Sequence, residues 1–122
     1  MNVRAPTRIL SMPNTNRPTI STHVLDTTRG EPAAGVRVTL SRVDGGQPVT
    51  HETDADGRIG SLGEVSAGAY RLSFDVGAYY KKKGTAAFLQ RATLDFEITD
   101  ANRRYHIPLL MSPFACSSYR GS

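Results

Sequence analysis

Apolar and polar residues alternate with a period of two in several short segments of this chain. The alternation is clearest at residues 69–76, AYRLSFDV, and recurs at residues 19–26, 35–40 and 92–98. Successive side chains of a β-strand point to opposite faces, so this pattern is typical of strands that are buried on one face only. It predicts sheets in which one face packs on a core and the other face carries polar groups.

The remaining segments extend this pattern to most of the chain. Further strands are predicted at residues 48–53, 105–111 and 114–119. Residues 77–91 have helical or neutral propensity, broken by Gly84, and predict one or two helical turns. Seven to eight short strands at spacings of roughly 8–15 residues are typical of an all-β protein, an antiparallel sandwich or barrel, here with one short helix.

The length of 122 residues is enough for one hydrophobic core. Residues 1–18 show no strand or helix period, and we expect a flexible N-terminal arm followed by a folded domain at residues 19–122. No segment approaches the roughly 20 consecutive apolar residues of a membrane-spanning helix, and the arm lacks the apolar region of a secretory signal. The sequence therefore indicates no membrane partner and favours a cytoplasmic location, with a periplasmic one left open.

The single cysteine and the modest net charge argue against several further classes of function. Cys116 is the single cysteine, so neither an intramolecular disulfide nor a cysteine-based metal motif can form, and we expect it to pack as a small hydrophobe. The formal net charge is +4, but the run Lys81-Lys82-Lys83 is short and lacks interleaved aromatic residues. We interpret this run as a solvated surface and expect no nucleic-acid partner.

Three histidines and one arginine are the candidate chemical groups. His23 and His106 lie inside predicted strands, His51 lies in a polar stretch, and Arg58 follows the tight turn of the segment DADGR. The histidines lack ligand spacing, and the turn lacks the distal glutamate of a calcium loop, so no metal site is predicted. Taken singly, each of these residues fits a surface or structural role.

Three stretches of sequence, taken together, indicate a protein family. ISTHVLDTTRGEPAAGVRVTL, TDADGRI and YHIPLLMSPFACSSYRGS resemble, in order and spacing, the transthyretin-like family and specifically its enzyme branch, the 5-hydroxyisourate hydrolases. The resemblance covers residues 19–122, and the terminal Tyr-Arg-Gly-Ser is its most specific motif. It implies a transthyretin-like antiparallel β-sandwich.

The resemblance also implies an activity and a site. The activity is hydrolysis of 5-hydroxyisourate to 2-oxo-4-hydroxy-4-carboxy-5-ureidoimidazoline in urate degradation, by a homotetramer that needs no metal or organic cofactor. Its active sites are expected in a channel between dimers, with the terminal tetrapeptide held there. The implied catalytic residues are His23, Arg58, His106 and Ser122. The implied substrate-binding residues are His23, Arg58, Tyr119, Arg120 and Gly121.

A carrier on the same fold is the alternative function. A non-enzymatic small-molecule carrier needs a channel lined by apolar and charged groups, but it has no use for paired histidines. His23, His106 and the terminal tetrapeptide therefore favour the enzyme.

Overall fold

The computed structural model describes residues 19–100 and 102–121. The expected N-terminal arm and Ser122 lie outside these residues. The described part contains ten strands and one helix, in this order: β1 Ile20–Asp26, β2 Glu31–Pro32, β3 Arg37–Arg42, β4 Val49–Glu52, β5 Arg58–Ile59, β6 Gly68–Phe74, α1 Val76–Lys82, β7 Ala92–Ile98, β8 Tyr105–His106, β9 Leu109–Met111 and β10 Cys116–Ser118. The count exceeds the predicted seven to eight because β2 and β5 are short strands of two residues each, and because the predicted strand at residues 105–111 is split at residues 107–108 into β8 and β9.

The strands form two sheets, which confirms the predicted all-β sandwich. One sheet has the order β10-β9-β1-β2, with β5 and β8 also paired to β1, and the other has the order β4-β3-β6-β7. Two pairings depart from the expected antiparallel arrangement, because β1 is parallel to both β8 and β9. Parallel neighbours require a crossover connection, and here the chain passes through the whole second sheet before it returns beside β1.

The predicted alternation places the core between the sheets. On β1, residues 20, 22, 24 and 26 are buried, whereas residues 21, 23 and 25 are only half-buried. On β6, Tyr70, Leu72 and Phe74 are buried, and the last two oppose the core residues Leu40 and Val38 of β3. Burial of each large apolar side chain stabilises the fold by about 1.5–3 kcal/mol.

Val76 was predicted to continue the strand of residues 69–76, and this prediction is wrong. The Oδ1 atom of Asp75 accepts a hydrogen bond of 3.2 Å from the backbone N–H of Ala78, so Asp75 caps a helix that begins at Val76. Val76 is nevertheless fully buried. None of the helices in the described residues is long and apolar enough to cross a membrane.

A buried carboxylate connects helix α1 to strand β1. Asp26 accepts hydrogen bonds of 2.9 Å from the hydroxyls of both Tyr79 and Tyr80, and one of 3.1 Å from Nη1 of Arg29. Burial by itself raises the pKa of Asp26, but the hydrogen bonds from Tyr80, Tyr79 and Arg29 outweigh it and leave the pKa below the usual aspartate value. Burial and the contact with Asp26 raise the pKa of Tyr79 to about 12. This cluster is a structural anchor in which the carboxylate stays ionised.

Candidate active site

Strand β1 supplies the first two polar groups of the site. Its inward residues form the core, so the alternation turns Ser21 and His23 to the outer face of the six-stranded sheet. Both residues are half-buried. His23 was predicted on the face opposite Val24, and the complete burial of Val24 confirms this prediction.

Strand β5 brings Arg58 beside His23. The two residues are register partners in the antiparallel pairing of β1 and β5, so their side chains share the outer face. The preceding turn is held by Asp54, whose Oδ1 atom accepts 2.9 Å hydrogen bonds from the backbone N–H groups of Asp56 and Arg58. The carboxylate of this segment therefore closes a turn.

Gly57 allows this turn to lie against β1. Its φ is +75°, and its carbonyl oxygen accepts a 2.7 Å hydrogen bond from the N–H of Val24. A Cβ atom at this position would lie 2.5 Å from the carbonyl oxygen of Val24. The close approach of the turn, and with it the position of Arg58, depends on glycine.

Strand β8 brings His106 to the other side of β1. Ser21 and His106 are register partners in the parallel pairing, and the N–H of Ile107 donates a 2.9 Å hydrogen bond to the carbonyl oxygen of Ser21. The side chains also meet, with 2.9 Å between Ser21 Oγ and His106 Nδ1. Arg58, His23, Ser21 and His106 thus occupy three adjacent strands on one face.

Gly121 packs directly on His106. Its N–H donates a 2.7 Å hydrogen bond to the His106 carbonyl oxygen, and a Cβ atom at position 121 would lie 2.8 Å from His106 Cδ2. Gly121 does not have a positive φ, so the backbone conformation here does not require glycine. The close approach does, because any larger residue would press on the histidine ring.

Two basic side chains, those of His23 and Arg58, lie near His106. Burial lowers the pKa of His106, and the nearby His23 and Arg58 lower it further. Its imidazole is therefore neutral at neutral pH and can accept a proton. Within residues 19–100 and 102–121, the side chains of His23 and Arg58 form no hydrogen bond or ion pair with the protein. Unpaired basic groups at one place favour an anionic ligand.

Metal-binding side chains do not gather in the described residues. No group of three or more histidine, cysteine, aspartate or glutamate side chains comes together there. The candidate site instead combines two imidazoles with one guanidinium.

Tyr119 and Arg120 lie beside a different concavity. They border a cavity of about 250 Å³ together with residues of β7 and with Tyr105 and Ile107, the two neighbours of His106. Neither histidine of the site nor Arg58 lines this cavity. The structure therefore brings together His23, Arg58, His106 and Gly121, whereas substrate contacts by Tyr119 and Arg120 stay a prediction and Ser122 lies outside the described residues.

The surroundings of Cys116 and His51 indicate a structural role and a surface role. Cys116 is half-buried against the core, and burial raises the pKa of its thiol, which disfavours the nucleophilic thiolate. His51 is exposed on β4 of the opposite sheet. Ser21 is the group that the sequence analysis missed, although its position two residues before His23 places both on one face of β1.

The family follows from comparison with known proteins. The model of the HIUase/Transthyretin family matches residues 20–121. The chain belongs to this family. The predicted resemblance is thereby confirmed over nearly the whole described region.

The known relatives include enzymes and transthyretins. A 5-hydroxyisourate hydrolase of Deinococcus radiodurans is 47% identical over 115 residues, which cover 86% of this chain and 97% of the relative. The structure of Klebsiella pneumoniae 5-hydroxyisourate hydrolase is 39% identical, with a TM-score of 0.78 and coverage of 86% of this chain and 94% of that one. Sea bream transthyretin in complex with thyroxine has the same TM-score of 0.78 at 32% identity, covering 84% of this chain and 94% of that one. The fold alone therefore does not separate enzyme from carrier.

Proposed function

We propose that this protein is a 5-hydroxyisourate hydrolase, which opens the ring of 5-hydroxyisourate to give 2-oxo-4-hydroxy-4-carboxy-5-ureidoimidazoline in urate degradation. The observation that carries the proposal is the register of β5 and β8 against β1, because it gathers Arg58, His23 and His106 on one face. The 47% identity to the Deinococcus radiodurans hydrolase supports the same reaction.

Hydrolysis of a cyclic amide makes three demands on a site. A base must take a proton from water as its oxygen bonds to the ring carbonyl carbon. The negative charge that develops on the carbonyl oxygen must be stabilised, and the nitrogen must receive a proton as the C–N bond breaks. The product then carries a new carboxylate.

The candidate site can meet each demand with one of its side chains. His106 is neutral at neutral pH, and its Nδ1 atom is engaged by Ser21, so we assign proton acceptance from water to Nε2. His23 protonates the leaving nitrogen, and the planar guanidinium of Arg58 holds the oxygen atoms of the anionic ring. Tyr119, Arg120, Gly121 and Ser122 complete the substrate contacts in this proposal.

A homotetramer would enclose this site. Groups on the outer face of a sheet do not by themselves surround a small molecule, and binding sites are usually concave. The strands β7 and β10 each have one neighbour in the described sheets. Phe88 and Phe114 are 77% and 74% exposed, and the backbone at Phe88 bonds to the carbonyl oxygen of Pro113 next to Phe114. Unpaired edges and exposed aromatic side chains are common at subunit interfaces.

The carrier function is the weaker candidate. A carrier binds its ligand without proton transfer, so it gains nothing from a neutral histidine beside a second histidine and an arginine. The structure of the transthyretin with thyroxine shares the fold at lower sequence identity than the Deinococcus radiodurans hydrolase.

We also propose a cytoplasmic location, which the single cysteine fits and which cell fractionation would test.

The decisive experiment follows the decay of freshly generated 5-hydroxyisourate by ultraviolet absorbance. We expect the protein to accelerate this decay, and a variant with both His23→Asn and His106→Asn to leave it at the spontaneous rate. Equal decay with and without the wild-type protein would overturn the proposed function. Sedimentation at micromolar concentration should show a tetramer, and an active preparation of monomers would contradict the assembly.

A further inference from the structure

Ser21 is bonded to a group of the candidate site, yet nothing so far has assigned it a role. Its Oγ atom lies 2.9 Å from His106 Nδ1, in a half-buried position on the outer face of β1. We propose that Ser21 is a positioning residue, whose hydroxyl holds Nδ1 of His106 through every protonation state of the ring and so keeps Nε2 directed at the substrate. This role rests on the proposed function.

The backbone fixes the distance between the two side chains. Hydrogen bonds lie on both sides of His106, from the N–H of Tyr105 to the carbonyl oxygen of Thr19 at 2.8 Å and from the N–H of Ile107 to that of Ser21 at 2.9 Å. The Cα atoms of Ser21 and His106 are therefore register partners in a closed ladder. The contact between Ser21 Oγ and His106 Nδ1 therefore forms without a shift of the backbone.

Gly121 restrains the opposite edge of the ring. Position 121 is close enough to His106 Cδ2 that a Cβ atom there would lie 2.8 Å away. The ring is thus held at Nδ1 by Ser21 and bordered at Cδ2 by Gly121, and no described residue bonds to Nε2. Nε2 is the nitrogen left for proton transfer.

A hydroxyl suits this position because it both donates and accepts hydrogen bonds. In the neutral tautomer that can act as a base, Nδ1 carries the proton and donates to Ser21 Oγ, and the lone pair of Nε2 is left for the proton of water. When Nε2 takes that proton, the ring becomes an imidazolium and its Nδ1–H still donates to Ser21 Oγ. In the other neutral tautomer, with the proton on Nε2, the Ser21 hydroxyl donates to Nδ1 instead. A carboxylate would favour the cation, whereas the serine holds the ring without a negative charge. The charged or titratable groups facing the ring are His23 on β1 and Arg58 on β5, and both disfavour the cation.

Two nearly isosteric variants test the hydroxyl. Ser21→Thr keeps the hydroxyl and should retain wild-type kcat, whereas Ser21→Val should lower kcat about tenfold with KM unchanged, the scale of one lost hydrogen bond. Ser73→Val is the matched control, because Ser73 lies on the outer face of the other sheet and bonds to Thr93. It should leave kcat unchanged. If Ser21→Val does not fold, Ser21→Ala replaces it.

A second readout does not depend on turnover. Nitrogen-15 NMR of labelled His106 should show a hydrogen-bonded Nδ1 in the wild type and in Ser21→Thr. In Ser21→Val the pKa of His106 should fall further, since the imidazolium loses the acceptor of its Nδ1–H. Wild-type kcat together with an unchanged His106 titration in Ser21→Val would overturn the role of Ser21. A wild-type protein without turnover would instead contradict the proposed function, and the titration would then decide the Ser21 proposal by itself.

Discussion

The outer faces of the two sheets are both polar, but their side chains are used differently. On the four-stranded sheet the polar groups pair across strands: Arg71 Nε lies 2.7 Å from Asp95 Oδ1, and the hydroxyls of Ser73 and Thr93 are 3.0 Å apart. On the six-stranded sheet, the side chains of His23 and Arg58 have no such partner within the described residues. Several polar groups of the first face pair across strands, whereas the basic side chains of His23 and Arg58 on the second face have no such pairing.

We interpret this difference as the difference between a solvated surface and the proposed site. Cross-strand pairs of opposite charge or of hydroxyls stabilise a sheet modestly, by about 0.2–1 kcal/mol each. Unpaired basic side chains placed side by side add little to the stability of the fold, and they fit the anionic ligand of the proposed function. The predictions below compare matched residues of these two faces.

The largest effect is expected from the histidines of the six-stranded sheet. His23→Asn and His106→Asn should each lower kcat at least about 10²-fold, because each removes a positioned proton donor or acceptor. The side chains lie outside the core, so circular dichroism should show an intact fold. Turnover at the wild-type level in both variants would remove these residues from the site.

A nearly equal effect is expected at Gly121. A valine there would press on His106 Cδ2 and displace the ring, so Gly121→Val should lower kcat about 10²-fold, like a direct loss of the histidine. Deletion of residues 120–122 should do the same, while deletion of residues 1–18 should leave kcat unchanged. Steady-state kinetics on the three variants measures this. Equal activity of the two truncations would leave the terminal segment without a role.

A pair of arginine variants compares the two faces most directly. Arg58→Lys should lower kcat/KM about tenfold, because an ammonium cannot form the two-pronged contact of a guanidinium with a planar anion. Arg71→Lys changes the same residue type on the outer face of the four-stranded sheet, where Arg71 pairs with Asp95. It should leave kcat/KM unchanged. A similar loss in both variants would indicate a general effect of charge rather than a specific contact.

The anchor at Asp26 should affect stability without affecting the site. Asp26→Asn leaves one tyrosine hydroxyl facing an amide donor, and should lower the free energy of unfolding by about 2 kcal/mol, with kcat at neutral pH unchanged. The pKa of Asp26 is lowered in the folded state, so its stabilisation is present above the usual aspartate value of about 3.9 and is lost as the pH falls through the lowered pKa. Urea unfolding as a function of pH should show this loss in the wild type and not in the variant.

The smallest effect is expected from Arg71, on the outer face of the four-stranded sheet. Arg71→Ala removes one exposed ion pair, and solvent screening leaves such pairs little effect on stability. Thermal unfolding should therefore shift little, and turnover should not change. A large loss of activity would show that the four-stranded face takes part in the site.

Much of the fold could be predicted from local patterns. The alternation in β1, β3 and β6 identifies their buried faces, because burial on one side leaves a direct record in the sequence. The pattern failed at Val76, where an apolar residue in register with a strand is also buried by a helix that Asp75 caps. It also failed for the parallel pairing of β1 with β8 and β9, since alternation carries no information about strand direction.

The sequence by itself determined which residue types were available and which faces of β1 they occupy: His23 outward, Val24 inward. The tertiary structure decided that Arg58 and His106, which are distant from His23 along the chain, become neighbours through the register of β5 and β8 against β1. It also decided that Ser21 meets His106 Nδ1 and that Gly121 packs on the opposite edge of the ring. The physical reason is that side-chain alternation is a property of one strand, whereas register is set by backbone hydrogen bonds between segments separated in the chain.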